Sequence, residues 1–292
     1  MVGAKRVSKG DWIMQIVINI LMAVMLVLFL YPIWETVVRS LSTPETADHP
    51  GLKLWPREFT VDAYKNVLKN PDFLIGFRNS VMRTVLGSLI AVAFTFCGGY
   101  ALSRRDLTGK GIITFYIVLT MFISAGLIPT YLNIRNLGMF NTIWAWILPG
   151  AVSAWNLTIC RNFIGSLPYE LEESAMVDGA HPLTIVFRIV LPLSAPILAV
   201  LVLWTAVGQW NSWFDAMIYT PDNSMTVLQL VVRRMIVSST DESNLLAAAK
   251  SDVTSTTMKC ATIMVSTIPI LCVYPFLQKY FVKGVMVGAL KG

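Results

Sequence analysis

Between Asp11 and Glu35 the chain runs through 23 residues, 12–34, without one Asp, Glu, Lys or Arg. As a helix rising ~1.5 Å per residue, such a run reaches about 35 Å and crosses the ~30 Å hydrocarbon core of a bilayer with some tilt. Five more charge-free runs follow at 84–103, 111–134, 136–160, 189–214 and 260–278. Lipid offers no partner to a free backbone amide, and the runs lack the alternation of a barrel strand, so each is predicted to be a spanning helix. The expected fold is an all-α integral membrane protein, a single transmembrane domain over 1–292 with six spans. Composition fits: 55% of residues are hydrophobic and only 14% charged, because charge is expelled from whole segments. Pro149 and Gly150 in the fourth run predict a kink.

The first run is too long for the apolar core of a secretory leader, and no small-x-small cleavage site follows before Tyr31-Pro32, so it reads as an uncleaved anchor. Cys97, Cys160, Cys260 and Cys272 fall in or at the edge of spans, which argues for small apolar core residues against a disulfide framework or a zinc site. The net charge of +6 sits in loops beside spans, as topology demands, and gives no reason to expect nucleic acid. Lys5, Arg6 and Lys9, then Arg104, Arg105 and Lys110, then Lys279, Lys283 and Lys291 fall on one side of a six-span topology. That side is predicted to be cytoplasmic, with both termini in it. The longer connections at 35–83 and 215–259 then face outward and are expected to fold into short amphipathic helices.

The loop 161–188 breaks the charge rule of its own side. Glu170, Glu172, Glu173 and Asp178 meet only Arg161 and Arg188. Ser166 is a candidate N-cap, Pro168 suits a first turn, the glutamates complement the helix dipole, and Gly179 followed by Pro182 is a stop signal. These predict a short helix over about 167–178, with Leu171, Ala175 and Asp178 on one narrow face. Two readings stand at this point: a helix that docks into a basic groove of another protein, and a solvated surface helix whose acids bind nothing.

The spacing Glu173-Ser174-Ala175, three residues, Gly179, nine residues, Ile189-x-Leu191-Pro192 resembles the E-A-A-x3-G-x9-I-x-L-P signature of permease subunits of bacterial ABC importers. Ser174 replaces the middle alanine, a small residue for a small one. Over nearly the whole chain the resemblance is to carbohydrate permeases of the maltose-permease type, in the poly- and oligosaccharide branch that includes alginate importers. It runs through "GLIPTYLNIRNLGMFNTIWAWILPGAVSAWN", "GQWNSWFDAMIY" and "YPFLQKYFVKGVMVGALKG". The resemblance implies a six-span subunit in the bacterial inner membrane with a second homologous permease, two ATPase subunits inside and a solute-binding protein outside. It also implies that the helix bearing Glu173 is a coupling helix seated in a cleft of the ATPase. ATP and Mg would belong to that partner, since the only Gly-Lys pair, Gly109-Lys110, has Arg104 and Gly111 where a phosphate-binding loop needs Gly and Ser or Thr.

A sugar pathway needs polar groups inside a span. In the fifth run Thr205, Gln209 and Ser212 recur at helical spacing, with Trp204, Gly208, Asn211 and Asp215 on the neighbouring stripe. Gln209, Trp210, Asn211 and Trp213 combine amides with flat ring faces, the pair of surfaces a sugar prefers. An aromatic belt at the outer interface accounts for the tryptophans equally well. Asn156 and Ser153 are further candidates, alongside interhelical hydrogen bonding as their role, and Arg161 is expected to snorkel. Arg233 and Arg234, in the outward connection, are compatible with an acidic oligosaccharide. Catalytic and metal constellations are absent: His49 and His181 fall on opposite sides, and neither G-x-S-x-G nor H-E-x-x-H occurs. Rival classes are a passive channel or scaffold lacking an ATPase, and a membrane-embedded enzyme active as a lone subunit.

Overall fold

The computed structural model describes residues 9–238 and 256–272. The terminal cations Lys5, Arg6, Lys279, Lys283 and Lys291, the end of the sixth run and the terminal "YPFLQKYFVKGVMVGALKG" lie outside the described residues. Every described element is helical apart from one isolated bridge, Ser42 to Phe59. Two compact units divide the described chain, 9–69 with 235–238 and 256–265, and 70–234 with 266–272.

The first unit is built on α1 (Lys9–Ser40), whose apolar length from Trp12 to Trp34 is exposed. Its polar end is tied down by short helices, as expected for this connection: α2 (Pro44–Asp48) and α3 (Asp62–Lys69). Arg39 pairs with Glu35 at 2.6 Å and donates to the Ala47 carbonyl at 3.0 Å, while the Ser40 and Tyr64 hydroxyls lie 2.7 Å apart.

The second unit is organised by α4 (Pro71–Ser103), 33 residues without an internal break. Asn70 caps it by accepting from the Asp72 amide at 2.9 Å, and Pro71 occupies the first turn, where a missing N–H costs nothing. The expected loop 35–83 is therefore much shorter, and Arg83 sits inside a helix. Gly76, Ser80, Arg83, Gly87, Ala91, Thr95 and Gly99 form a small and polar stripe that is buried along α4. Against it pack α8 (Ala154–Gly165) and α12 (Ala195–Asn211).

Of the six runs, α1 and α4 are single helices long and apolar enough to cross a membrane. Three of the others are interrupted, and the sixth is described only as far as Cys272. Run 111–134 divides into α5 (Lys110–Leu119) and α6 (Leu127–Asn136), and run 136–160 into α7 (Trp144–Ile147) and α8, with the break at Pro149-Gly150. After α9 (Glu170–Val177), α10 (Pro182–Ile185) passes through a π turn at Val186–Val190 into α11 (Leu191–Leu193), and α12 departs at 76°. Pro192 accounts for the irregularity: it has no N–H for the Arg188 carbonyl, and the wide turn absorbs the missing bond. The chain continues through α13 (Phe214–Tyr219), a 3-10 turn, α14 (Leu228–Ser238) and α15 (Thr256–Cys272). Cys160 is buried and Cys260 half-buried, but Cys97 and Cys272 are exposed and do not serve as core in this chain; all four are free thiols.

Candidate functional sites

Two regions of the second unit gather the chemistry. The first surrounds α9. Ser166 does not cap it; Ser166 ends α8, where its hydroxyl donates to the Phe163 carbonyl at 2.7 Å, and α9 starts three residues later than the hydroxyl suggested. A serine satisfies a helix end from either side, and tertiary context decided. At the other end the stop signal acts as expected: Gly179 takes φ +76°, and the Ala180 amide reaches back to the Ala175 carbonyl at 2.9 Å.

The motif residues part into two groups. Glu173, Ser174, Asp178 and Gly179 are exposed, as is Leu171, which was expected on the same face as Ala175. Ala175, Ile189 and Leu191 instead pack against a core of Phe96, Cys160, Ile164, Ile185, Val190, Ile197 and Leu201. Pro192 sits at the break before α12. So α9 is fastened by one side and bare on the other.

Glu172 takes the fastened side. Its carboxylate accepts from Arg104 Nη1 at 2.6 Å and from the Tyr100 hydroxyl at 3.3 Å, both from the end of α4. Arg104 also reaches Asp106 at 3.2 Å, and that carboxyl is held below its ordinary range by its own backbone amide and by the guanidinium. Arg161, expected to snorkel, instead donates to Thr114 at 3.3 Å and to the neighbouring Asn162.

The second region is a cavity of about 420 Å³ lined by α4, α7, α12 and α13, including Arg83, Trp146, Gly208, Gln209, Ser212 and Asp215. Arg83 dominates it, with a side chain only 3% exposed. Nη1 donates to Asp215 Oδ1 at 3.0 Å, Nη2 to Asp215 Oδ2, and Nε to Gln209 Oε1 at 2.8 Å. Asp215 accepts also from Ser212 Oγ at 3.1 Å and from the Ala216 amide at 2.9 Å. Because the Gln209 oxygen is occupied, its NH2 is left as the group to offer, and among the described residues it has no acceptor. Gly87 makes room for it: a Cβ there would meet Gln209 Cδ at 2.9 Å.

Of the predicted pathway residues, Gln209 lines this cavity together with Thr205 and Ser212 of its stripe. The others are placed elsewhere. Trp210 is buried, donates from Nε1 to the Ser266 carbonyl at 3.0 Å and meets Phe77 edge-on at 5.9 Å. Asn211 is exposed and turns back to the Val207 carbonyl. Trp213 lies under Arg233, whose guanidinium is 3.7 Å from the ring centroid, and Arg234 reaches Asn223. Asn156 is half-buried on the first turn of α8, its amide capped by Ser153 at 3.5 Å; neither borders the cavity. The residues that sequence reasoning missed are Arg83 and Asp215 as a pair.

Comparison with known proteins places this geometry. No family model matches the chain. Protein LplC of Bacillus subtilis is 39% identical over 267 residues, 89% of either chain. The polygalacturonan/rhamnogalacturonan transport system permease protein YtcP of the same organism is 38% identical over 263 residues, 89% of this chain and 92% of that one. The chain belongs to the sugar ABC transporter permeases. The trehalose/maltose transport system permease protein MalG of Thermococcus litoralis is 30% identical across 96% of this permease and 97% of its own length.

Among solved structures, a bacterial ABC transporter involved in the import of the acidic polysaccharide alginate superposes with a TM-score of 0.90 at 32% identity, over 95% of this permease and 100% of that chain. A second solved structure, of a bacterial alginate ABC transporter in complex with an alginate pentasaccharide-bound periplasmic protein, matches with a TM-score of 0.56 at 15% identity and shares the fold. Permeases of this family are transporter subunits and not enzymes, with ATP hydrolysis on a separate ATPase subunit.

Proposed function

We propose that this permease forms one half of the translocation path of an ATP-driven importer of oligo- or polysaccharide. In this reading it crosses the bacterial inner membrane six times, with both termini inside. Its partners are a second homologous permease, two ATPase subunits and an external solute-binding protein, and it works by alternating access. The interrupted runs then cross as broken helices, which is admissible where the breaks face protein or a water-filled cavity.

The observation that carries the reading is the division of the motif. Ala175, Ile189 and Leu191 root α9 in the core, while Glu173 and Ser174 stand free for a partner. A helix built this way receives force on its bare side and delivers it to the fold. The cavity supplies the other half: an amide NH2 at Gln209, hydroxyls at Thr205 and Ser212, and the rings of Trp146 and Tyr219 suit sugar hydroxyls and ring faces. An acidic substrate such as alginate is the reading favoured by the 32%-identical structure.

The test is Glu173→Lys in the four-component transporter reconstituted in lipid. The expected result is loss of the ATPase stimulation produced by sugar-loaded binding protein, or loss of the ATPase subunits from the purified complex, with the permease still inserted. Unchanged stimulation would refute the coupling role of α9.

A further inference from the structure

Helix α9 reaches the rest of the permease by three routes. Its two chain connections lead to α8 and α10. The third is lateral, onto α4, to which it has no direct covalent link. There Ala175 and Ala180 share the apolar cluster with Phe96 and Tyr100, a contact that constrains packing but not direction. The Glu172–Arg104 pair adds direction.

This pair is unlike an ordinary surface bridge. The two side chains are 12% and 20% exposed, and Nη1 to Oε2 is 2.6 Å. The guanidinium lies 5.9 Å from the centroids of both the Tyr100 and Tyr169 rings, so its rotamer is already restricted before the bond forms. Lys110 donates to the Ser103 and Arg104 carbonyls at 3.2 and 3.0 Å, fixing the end of α4 from which Arg104 projects. Exposed pairs contribute little because ordering two long side chains opposes them; here that ordering is largely imposed by the surroundings.

From Arg104 the unbroken α4 leads back to Arg83, 21 residues away by numbering, which at ~1.5 Å per residue is about 31 Å. At that point the same helix holds Asp215 and Gln209 of the cavity. One rigid element therefore carries a charged clamp on α9 at one end and a charged clamp on the cavity at the other.

We infer that Glu172 is a positioning residue for coupling: through Arg104 it transmits displacement of α9 to α4, and α4 carries it to the Arg83–Gln209 cavity. This rests on α9 being the element that meets the ATPase, and it assigns Glu172 a task different from that of Glu173. Glu173 faces the partner, whereas Glu172 faces inward and makes the received motion reach the sugar side.

The decisive experiment uses the full reconstituted transporter and reads three quantities: assembled complex, basal ATPase rate, and the rate stimulated by sugar-loaded binding protein. Glu172→Gln keeps the shape and removes the charge. Its expected effect is a stimulated rate lowered by about tenfold, a 1.4 kcal/mol change, with assembly and basal rate retained. Exchanging the charges, Glu172→Arg with Arg104→Glu, is expected to restore at least about half of the stimulation by re-forming a pair of the same kind. A fully stimulated Glu172→Gln complex, or an exchange no better than either single change, overturns the inference.

Should Glu172→Gln fail to assemble, Arg104→Lys is read the same way. It keeps the charge and loses the planar fork, and full stimulation in that complex also overturns the inference. Glu173→Lys run in parallel separates the two claims. If it leaves stimulation intact, the role of α9 falls and this inference with it. If it abolishes stimulation while Glu172→Gln does not, only the clamp falls.

Discussion

Removing Asp215 should cost this permease more stability than removing Arg83, although both belong to one ion pair. The guanidinium is 3% exposed and the Asp215 side chain 23%, so the two partners are left in different solvents when unpaired. In Asp215→Asn the buried cation keeps Gln209 Oε1 at 2.8 Å and the Ser212 carbonyl at 3.4 Å but faces no negative charge. Breaking a fully buried pair from one side costs about 3–5 kcal/mol; water at the exposed carboxylate edge and the retained amide oxygen reduce this to about 2–3 kcal/mol. In Arg83→Met the carboxylate keeps the Ala216 amide and the Ser212 hydroxyl and is hydrated, so the loss is about 1–2 kcal/mol. The double variant no longer buries an unpaired charge, and its cost should fall below the sum of the singles by at least about 1.5 kcal/mol. Denaturant unfolding of the transporter in nanodiscs, followed by tryptophan fluorescence, gives all three values. A coupling below about 0.5 kcal/mol, or Asp215→Asn milder than Arg83→Met, refutes the argument that burial asymmetry governs this site.

Gly87→Ala puts a methyl 2.9 Å from Gln209 Cδ, an atom that Arg83 prevents from swinging away. The expected outcome is a sugar-stimulated transport rate reduced by several-fold with complex yield unchanged; a wild-type rate would show that the Gln209 position is immaterial. Trp210→Phe removes the donor to the Ser266 carbonyl and shrinks a buried indole to a phenyl ring, so stability should fall by about 2 kcal/mol while apparent sugar affinity stays put. Gln209→Leu is expected to do the reverse, and equal effects of the two on transport would return Trp210 to the pathway.

Charge exclusion made α1 and α4 legible in the sequence because lipid penalises an isolated charge whatever the fold around it. The same rule concealed Arg83. A run that must be charge-free ends at the first cation, yet this cation lies inside α4, neutralised by Asp215 from 132 positions further along. No local pattern carries a pairing of that range. What was readable is the stripe through Gly76, Ser80, Gly87, Ala91, Thr95 and Gly99, which continues straight through Arg83 at helical spacing. On α12, periodicity alone grouped Thr205, Gln209 and Ser212, and these share the cavity. Trp210 was attached by chemical affinity for sugar, which says nothing about direction; of the neighbouring stripe Gly208 and Asp215 line the cavity, while Trp204 and Asn211 do not. The spacing from Glu173 to Pro192 was visible in full, but not that Ala175, Ile189 and Leu191 are inward anchors while Glu173 is exposed.

The contrast between α4 and its neighbours bears on how a transporter of this kind changes state. Packed helices do not deform continuously, so a rearrangement concentrates where hydrogen bonding is already interrupted. In this permease such places are the 120–126 break between α5 and α6, the Pro149-Gly150 break between α7 and α8, and the 76° bend before α12. One of these adjoins the cavity: Pro149 and Gly150 line it, whereas the bend at Ser194 precedes Thr205, the first cavity residue of α12, by 11 positions. Helix α4 has no such point over 33 residues, and its charged contacts lie at Arg83 and Arg104. A shift imposed at Arg104 therefore has little to absorb it along α4 itself. It then appears at Arg83, where the next compliant element is the Pro149-Gly150 break in the cavity wall. If α9 is driven as proposed, the cavity changes shape by flexing at the α7–α8 break around a moving α4, and the buried Arg83–Asp215 pair keeps α13 attached to the element that moves.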